Sequence, residues 1–346
     1  MNEWQRELSD SISDFNKLKC HIDLSESEEA AADKNRLFKI TPHLLNQIKL
    51  NDSNQKIRRQ FVPFEYTCTL PANFENDFLR ETANEVSENL IQRYPHKAIL
   101  LVTHECPAYC LFCTRKRNNA PCSRVNNLTS AYLYLKKHPE IYDVVITGGD
   151  PLILTDDELD KIFSGLSEIK SLKIIRINTR TPVTIPKRIT TELICLLKKY
   201  KVAYINIHFE HPDELSEETI DACMKLAESG ILLGSQSVLL KGINDDCETL
   251  KDLFVKLLLA KVRPYYLYQC DKISGCEPFY VNPDKGMSII NRIAPELPGL
   301  CVPRFVIDVP GKMGKITVAP NGIIHHEENS IILKNFQSNE IYNYIT

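Results

Sequence analysis

Six short apolar runs recur along the chain at roughly 30-residue intervals. They are AILLVT (98–103), DVVITGG (143–149), IIRINTR (174–180), AYINIHF (203–209), ILLGSQSVLL (231–240) and RPYYLYQCD (263–271). Each has strand length and most are rich in β-branched residues. The stretches between them, such as TDDELDKIFSGLSEI and SEETIDACMKLAESG, open on Thr155 or Ser216 and are read as capping boxes, with an acid expected three residues on. Strands alternating with helices at this spacing form a parallel sheet, so the fold class is α/β. The polar residues then separate a doubly wound sheet from a barrel. Cys106, Gly148, Arg180, His208, Gln236 and Asp271 stand at or just past the C-terminal ends of successive runs. A barrel gathers those ends at one mouth, whereas the outer strands of an open sheet would hold them far apart. The expected architecture is an incomplete (β/α)6 barrel.

Both flanks of the repeat read differently. In residues 1–91, Trp4, Leu8, Ile12, Phe15 and Leu18 recur at helical spacing and predict an amphipathic helix, and Thr41-Pro42 marks the start of a second. This part is expected to be a helical extension, with the partial barrel spanning 92–303. Residues 304–346 read as β pieces: RFVIDVP, KITVAP, then GIIHHEE and SIILKNF as a hairpin. His325 and His326 are adjacent, and a surface hairpin accounts for them better than a ligand role.

Charge narrows the partners. The 42 Lys and Arg against 45 Asp and Glu give a net charge of −3, with no basic block to neutralise a run of phosphates, so nucleic acid is not an expected partner. The N-terminus lacks an apolar signal region and no apolar run reaches membrane-spanning length, which predicts a cytoplasmic protein with no membrane partner. Twelve dispersed cysteines do not make a disulfide scaffold, and a reducing compartment directs attention to metal or redox chemistry. Most of those standing singly are expected to be small buried hydrophobes.

Three cysteines stand together. Thr103-His104-Glu105-Cys106-Pro107-Ala108-Tyr109-Cys110-Leu111-Phe112-Cys113 is a C-x-x-x-C-x-x-C run in the loop after the first strand. Structural zinc wants four ligands, for which Cys122 is the available fourth. Three thiolates instead bind three irons of a cubane and leave the fourth open to substrate. Here the chain resembles the radical S-adenosylmethionine (SAM) enzymes, whose open iron binds the amino and carboxylate groups of SAM. The resemblance implies a 4Fe-4S cluster on Cys106, Cys110 and Cys113, SAM as cofactor, an electron donor for the cluster, and a barrel of the radical SAM type. Thr147-Gly148-Gly149-Asp150-Pro151 resembles that superfamily's glycine motif, placing Gly148, Gly149 and Asp150 near the cofactor.

Five further segments resemble the lysine 2,3-aminomutase family: QRYPHKAILLVT, CTRKR, RTPVTIPKRIT, GSQSVLLKGIND and VRPYYLYQCD. The resemblance runs from the helical N-terminus to about residue 325. It implies an isomerase, using pyridoxal phosphate as a third cofactor, that moves the amino group of L-lysine from Cα to Cβ. Lys315 in Asp308-Val309-Pro310-Gly311-Lys312-Met313-Gly314-Lys315 matches the family's cofactor lysine, catalytic through a Schiff base. The family usually shows four glycines before it, and Lys312 and Met313 replace the middle two, so altered backbone approach and competition from Lys312 are expected. Arg93, Tyr94 and Lys97 match the residues on the phosphate side, with Lys97 where arginine is usual. Arg115 matches the clamp on the substrate carboxylate, and Asp271 and Asp308 match the two carboxylates around the distal amino group. Relatives acting on glutamate carry neutral amides there. Two facing carboxylates in a closed site repel unless a cation lies between them, so the pair argues for a cationic substrate. His208 and Gln236 resemble residues near the adenosyl group, and Tyr265, Tyr266 and Tyr268 are expected to pack the core. The family forms homo-oligomers. An aminomutase acting on arginine, ornithine or another amino acid, and a non-catalytic iron-sulfur regulator, are the alternatives.

Overall fold

The computed structural model describes residues 1–32, 37–51, 55–66, 74–116, 125, 127–327, 330–335 and 340–345. Seven strands pair in parallel in sequence order: β3 (Lys97–Thr103), β4 (Asp143–Gly148), β5 (Ile174–Thr179), β6 (Tyr204–His208), β7 (Leu232–Leu239), β8 (Arg263–Gln269) and β9 (Arg304–Val309). They carry antiparallel strands at both edges. β1 (Glu85–Ser87) and β2 (Leu90–Tyr94) precede them on one side, and β10 (Gly314–Ala319) follows β9 on the other. Among the described residues the edge strands do not pair with each other, so the ten-stranded sheet stays open. The six runs read from the sequence are β3 to β8, displaced by two residues at most.

The strand ends are set by capped helices. Thr155 and Glu158 form a reciprocal capping box at the start of Asp156–Ser167. Ser216 caps Glu217–Glu228 through its hydroxyl alone, because the third helical residue is Thr219 rather than an acid. Each such cap stabilises its helix by about 1 kcal/mol. The helices bury Leu159, Phe163, Leu193, Leu226, Leu253 and Ile290 against the sheet in one continuous apolar core.

The flanks depart from expectation in three places. The single N-terminal amphipathic helix is two, Glu3–Ser9 and Phe15–Lys19. Between them Ile12 is extended and exchanges backbone hydrogen bonds with Ile40 at 2.8 and 2.9 Å, while Asp14 caps the second helix. Of the periodic residues Trp4, Ile12, Phe15 and Leu18 are buried and Leu8 is half-buried, and Phe15 and Leu18 meet Phe38, Ile40, Leu44 and Phe61. Second, β1 and the start of β2 lie within the region expected to be helical. Leu90 and Ile91 are buried there, and pairing with β3 satisfies backbone groups that a helix end would leave open. Third, β9, read as part of the tail, extends the parallel sheet. Only Phe305, Val306 and Asp308 of that strand are fully buried, a pattern short enough to pass for an isolated β piece.

The expected hairpin is β11 (Ile323–Glu327) paired with β12 (Ser330–Lys334), and β13 (Ile341–Ile345) adds a third antiparallel strand. The helix predicted from Thr41-Pro42 is Pro42–Leu50, its first turn capped by the Thr41 hydroxyl. Among the described residues no helix is long and apolar enough to cross a membrane. Cys223, Cys270, Cys276 and Cys301 are buried as expected, whereas Cys20 and Cys195 are exposed, and Cys68 and Cys122 lie outside the described residues.

Candidate active site

One open cavity lies at the C-terminal ends of the parallel strands. Its wall includes Arg93, Cys106, Cys110, Cys113, Arg115, Gly148, Gly149, Asp150, His208, Gln236, Asp271, Asp308 and Lys315. Tyr94 and Lys97 stand outside that wall. The Tyr94 hydroxyl accepts the backbone N–H of Lys315 at 2.9 Å, and the Lys97 ammonium sits 4.1 Å above the Tyr94 ring. Burial, with the nearby charges of Lys315 and Arg176, holds the Lys97 ammonium below its usual pKa.

The cysteine loop leaves β3 and packs its Ala108 into the apolar cluster of the N-terminal extension. Burial pushes all three thiols above their ordinary pKa, so holding them as thiolates takes a metal's charge. Among the described residues no three His, Cys, Asp or Glu side chains converge on a single-ion site. Three cysteines spread along one loop fit a cluster in which each iron takes one thiolate.

Gly148 and Gly149 hold that loop against β4. Gly148 has φ of +132°, and a Cβ there would lie 2.2 Å from the Thr103 carbonyl oxygen. At Gly149 it would lie 2.0 Å from the Glu105 carbonyl oxygen. Both collisions are with backbone, which cannot swing aside. Gly149→Ala is therefore expected to push the cysteine loop off β4, lowering the melting temperature and the iron content after reconstitution together. Unchanged values of both would show that the loop yields.

Asp150 lines the cavity with its carboxylate already engaged within the protein. It accepts from the Thr179 hydroxyl at 2.7 and 2.9 Å, the Arg180 backbone N–H at 2.6 Å and the Leu152 N–H at 3.1 Å. It thereby ties the ends of β4 and β5 together. Deeper in the cavity, amides from successive strands form a polar ladder: Asn206 donates to Asn178 at 3.1 Å and Asn178 to Gln236 at 3.4 Å. His208 sets its Nδ1 3.4 Å from buried Glu210. Of these, Asn178, His208 and Gln236 line the cavity, backed by buried Asn206 and Glu210, and with the two glycines they provide a polar, closely approachable wall suited to SAM.

A second group of lining residues carries charge. Arg115 is held by a bidentate pair with Glu81 at 2.7 to 3.1 Å, and Glu81 is only 3% exposed. Asp308 accepts from Arg93 Nη2 at 2.9 Å and lies 3.3 Å from the Lys315 ammonium. Arg93 also donates to the carbonyls of Val309 and Gly311, fixing the turn between β9 and β10. The turn explains the missing glycines. Gly311 and Gly314, which are kept, both have φ of +71°, whereas Lys312 and Met313 stand exposed at its tip and outside the cavity wall. Neither the altered approach nor the competition expected from Lys312 is built into this geometry. Burial raises the Asp271 carboxyl well above its usual pKa, and the charge of Asp308 adds to the effect. Lys315, Tyr94 and Arg93 on one side, with Tyr268 5.7 Å from the Lys315 ammonium, are a donor set that fits a phosphorylated aromatic aldehyde.

The Radical SAM superfamily matches residues 100–254, and the family described as Lysine-2,3-aminomutase matches residues 290–344. Over 345 residues the chain is 39% identical to an L-lysine 2,3-aminomutase of Clostridium subterminale, covering 97% of this chain and 82% of that protein. The chain belongs to the lysine 2,3-aminomutase family. An L-lysine 2,3-aminomutase of Bacillus subtilis is 36% identical over 342 residues, covering 97% of this chain and 73% of that protein. A glutamate 2,3-aminomutase of Clostridioides difficile is 33% identical over 353 residues, covering 98% and 82%. The chain is thus a radical SAM isomerase of the aminomutase type, and the cofactors of its family are a 4Fe-4S cluster, SAM and pyridoxal phosphate.

Three members of this aminomutase's cavity were not assigned from the sequence. Glu81 is one acid among many in a stretch without periodicity, and only the fold brings it to Arg115. Arg180 was noticed at a strand end but given no role. Tyr268, expected in the core, lines the cavity because β8 turns alternate side chains inward.

Proposed function

We propose that this isomerase uses pyridoxal phosphate on Lys315 to convert L-lysine to L-β-lysine. The carrying observation is that Arg115, Asp271, Asp308 and Lys315 line one cavity with the three cysteines. The cluster with SAM would supply reversible hydrogen-atom abstraction, and pyridoxal phosphate a conjugated π-system that stabilises the unpaired electron while the nitrogen migrates. The cluster would be held by Cys106, Cys110 and Cys113, with Gly148, Gly149, His208 and Gln236 on the SAM side.

The chain's own residues then bind and orient. Arg115 meets the α-carboxylate, its direction fixed by Glu81. Arg93 directs to the phosphate the Nη1 that carries no protein hydrogen bond among the described residues, with Lys97 adding charge behind Tyr94. Asp308 already has Arg93 as counter-ion, which leaves Asp271 as the uncompensated carboxylate of the distal pocket. That imbalance favours a cationic side chain over glutamate's. A low-potential electron donor, a homo-oligomeric state and a cytoplasmic setting belong to the same proposal.

The test is anaerobic reconstitution with iron, sulfide, pyridoxal phosphate, SAM and a reductant. β-Amino acids are then separated after parallel incubations with lysine, arginine, ornithine and glutamate. β-Lysine as the dominant product is expected. A dominant β-glutamate would overturn the charge argument, and a β-amino acid from arginine or ornithine would move the substrate within the cationic class.

A further inference from the structure

We propose that Arg180 raises the reduction potential of the iron-sulfur cluster by donating a charged hydrogen bond to Cys110. The inference rests on Cys106, Cys110 and Cys113 being the cluster ligands, and is independent of the substrate. Arg180 follows directly on β5 and is 7% exposed. Its Nη1 lies 2.8 Å from Cys110 Sγ. Its Nη2 donates to Gln60 and, at 3.2 Å, to both carboxylate oxygens of Glu214, which is 2% exposed. The guanidinium carbon sits 4.5 Å from the ring centre of Phe61 and 5.4 Å from that of Phe112. Two aromatic rings and a buried carboxylate therefore fix the cation against one cysteine sulfur. Among the described residues Cys113 receives only a backbone N–H, from Arg115 at 3.4 Å.

A reduced cluster carries one more electron than an oxidised one. A fixed positive charge at a ligand sulfur stabilises the reduced form more, and hydrogen bonds to sulfur are a recognised lever on such potentials. The guanidinium itself is buried against Phe61 and Phe112, so its charge is less screened than a surface arginine's. Glu214 opposes it while holding the guanidinium in place. Because Gln60 and Phe61 come from the N-terminal extension, that extension participates in the electrostatics of the cluster loop.

The experiment is a potentiometric titration of the full chain after anaerobic reconstitution, following the electron paramagnetic resonance signal of the reduced cluster. Arg180→Lys keeps a cation but shortens its reach to Cys110, and is expected to shift the midpoint to more negative potential, leaving a several-fold smaller reduced fraction at a fixed poise. Glu214→Gln keeps shape and most hydrogen bonds while removing the opposing charge, and is expected to shift the midpoint the other way. Opposite shifts at unchanged iron and sulfide content support the proposal. Absence of a shift in both variants, or shifts of the same sign, overturns it. If Arg180→Lys does not fold, Glu214→Gln decides by the sign of its shift. A wild-type chain that assembles no cluster would refute the ligand assignment instead, an outcome recognised by iron and sulfide analysis alone.

Discussion

Replacing Lys315 by alanine is expected to abolish covalent retention of pyridoxal phosphate and all turnover while leaving the protein folded. Lys315 lies on β10, an edge strand, and its position depends on backbone contacts that alanine keeps, the N–H to Tyr94 among them. Its side chain is 29% exposed and its ionic partner Asp308 retains Arg93, so the loss of stability should stay within about 1 kcal/mol. What disappears is the amine that attaches the aldehyde. The measurement is the absorption band of the lysine-bound cofactor, with Lys312→Ala as the control. Lys312 is exposed at the tip of its turn and outside the cavity wall, so that variant should keep the band. A band that survives in Lys315→Ala, or vanishes in Lys312→Ala, would move the cofactor to another residue.

Asp271→Asn should raise the KM for lysine about 10- to 150-fold, the range that a charge-assisted contact of about 1.5 to 3 kcal/mol represents. The effect should depend on pH with a definite sign. Burial and the charge of Asp308 raise the Asp271 carboxyl above its usual value, and only its ionised form attracts an ammonium group. Wild-type kcat/KM for lysine is therefore expected to rise with pH through the raised Asp271 pKa and then level, and the asparagine variant should lose that limb. Stability moves oppositely. A carboxyl whose pKa is higher folded than unfolded binds its proton more tightly in the native state. Its contribution thus falls as pH climbs from the unfolded value, about 4, through the folded one. Asp271→Asn should consequently gain in melting temperature relative to wild type as pH rises across that window. Kinetics independent of this residue would remove it from the substrate pocket. Asp308→Asn is a poorer probe, because it strands Arg93 as a buried cation, and breaking such a pair costs about 3 to 5 kcal/mol in folding alone.

Much of this protein was legible in its residues. The six runs from Ala98 to Asp271 identified the parallel strands because burial on both faces of a sheet imposes near-continuous apolar character. The same runs located the candidate cavity, since a parallel sheet places successive C-terminal ends on one side. The cysteine spacing drew attention to the loop after β3 because three thiols within eight residues of one loop are a local pattern. The flanks were less legible. Trp4 to Leu18 has helical spacing, but Asp14 starts a new helix, and a break between two helices does not disturb the period. β9 became a parallel strand through its pairing with β8, and its short, interrupted burial pattern hid that pairing.

By itself, then, the sequence determined the α/β repeat, the cysteine loop, the glycine pair and the matched lysine and aspartates, all of them local patterns whose physical meaning rests on neighbours along the chain. Tertiary structure decided the rest. It paired Arg115 with Glu81, Asp308 with Arg93, and Cys110 with Arg180, and turned Lys312 away from the cavity while Lys315 stayed in its wall. These are pairings of charges and sulfur that lie 34, 215 and 70 residues apart. Their strength depends on burial and distance in the folded chain, and neither is written in local spacing.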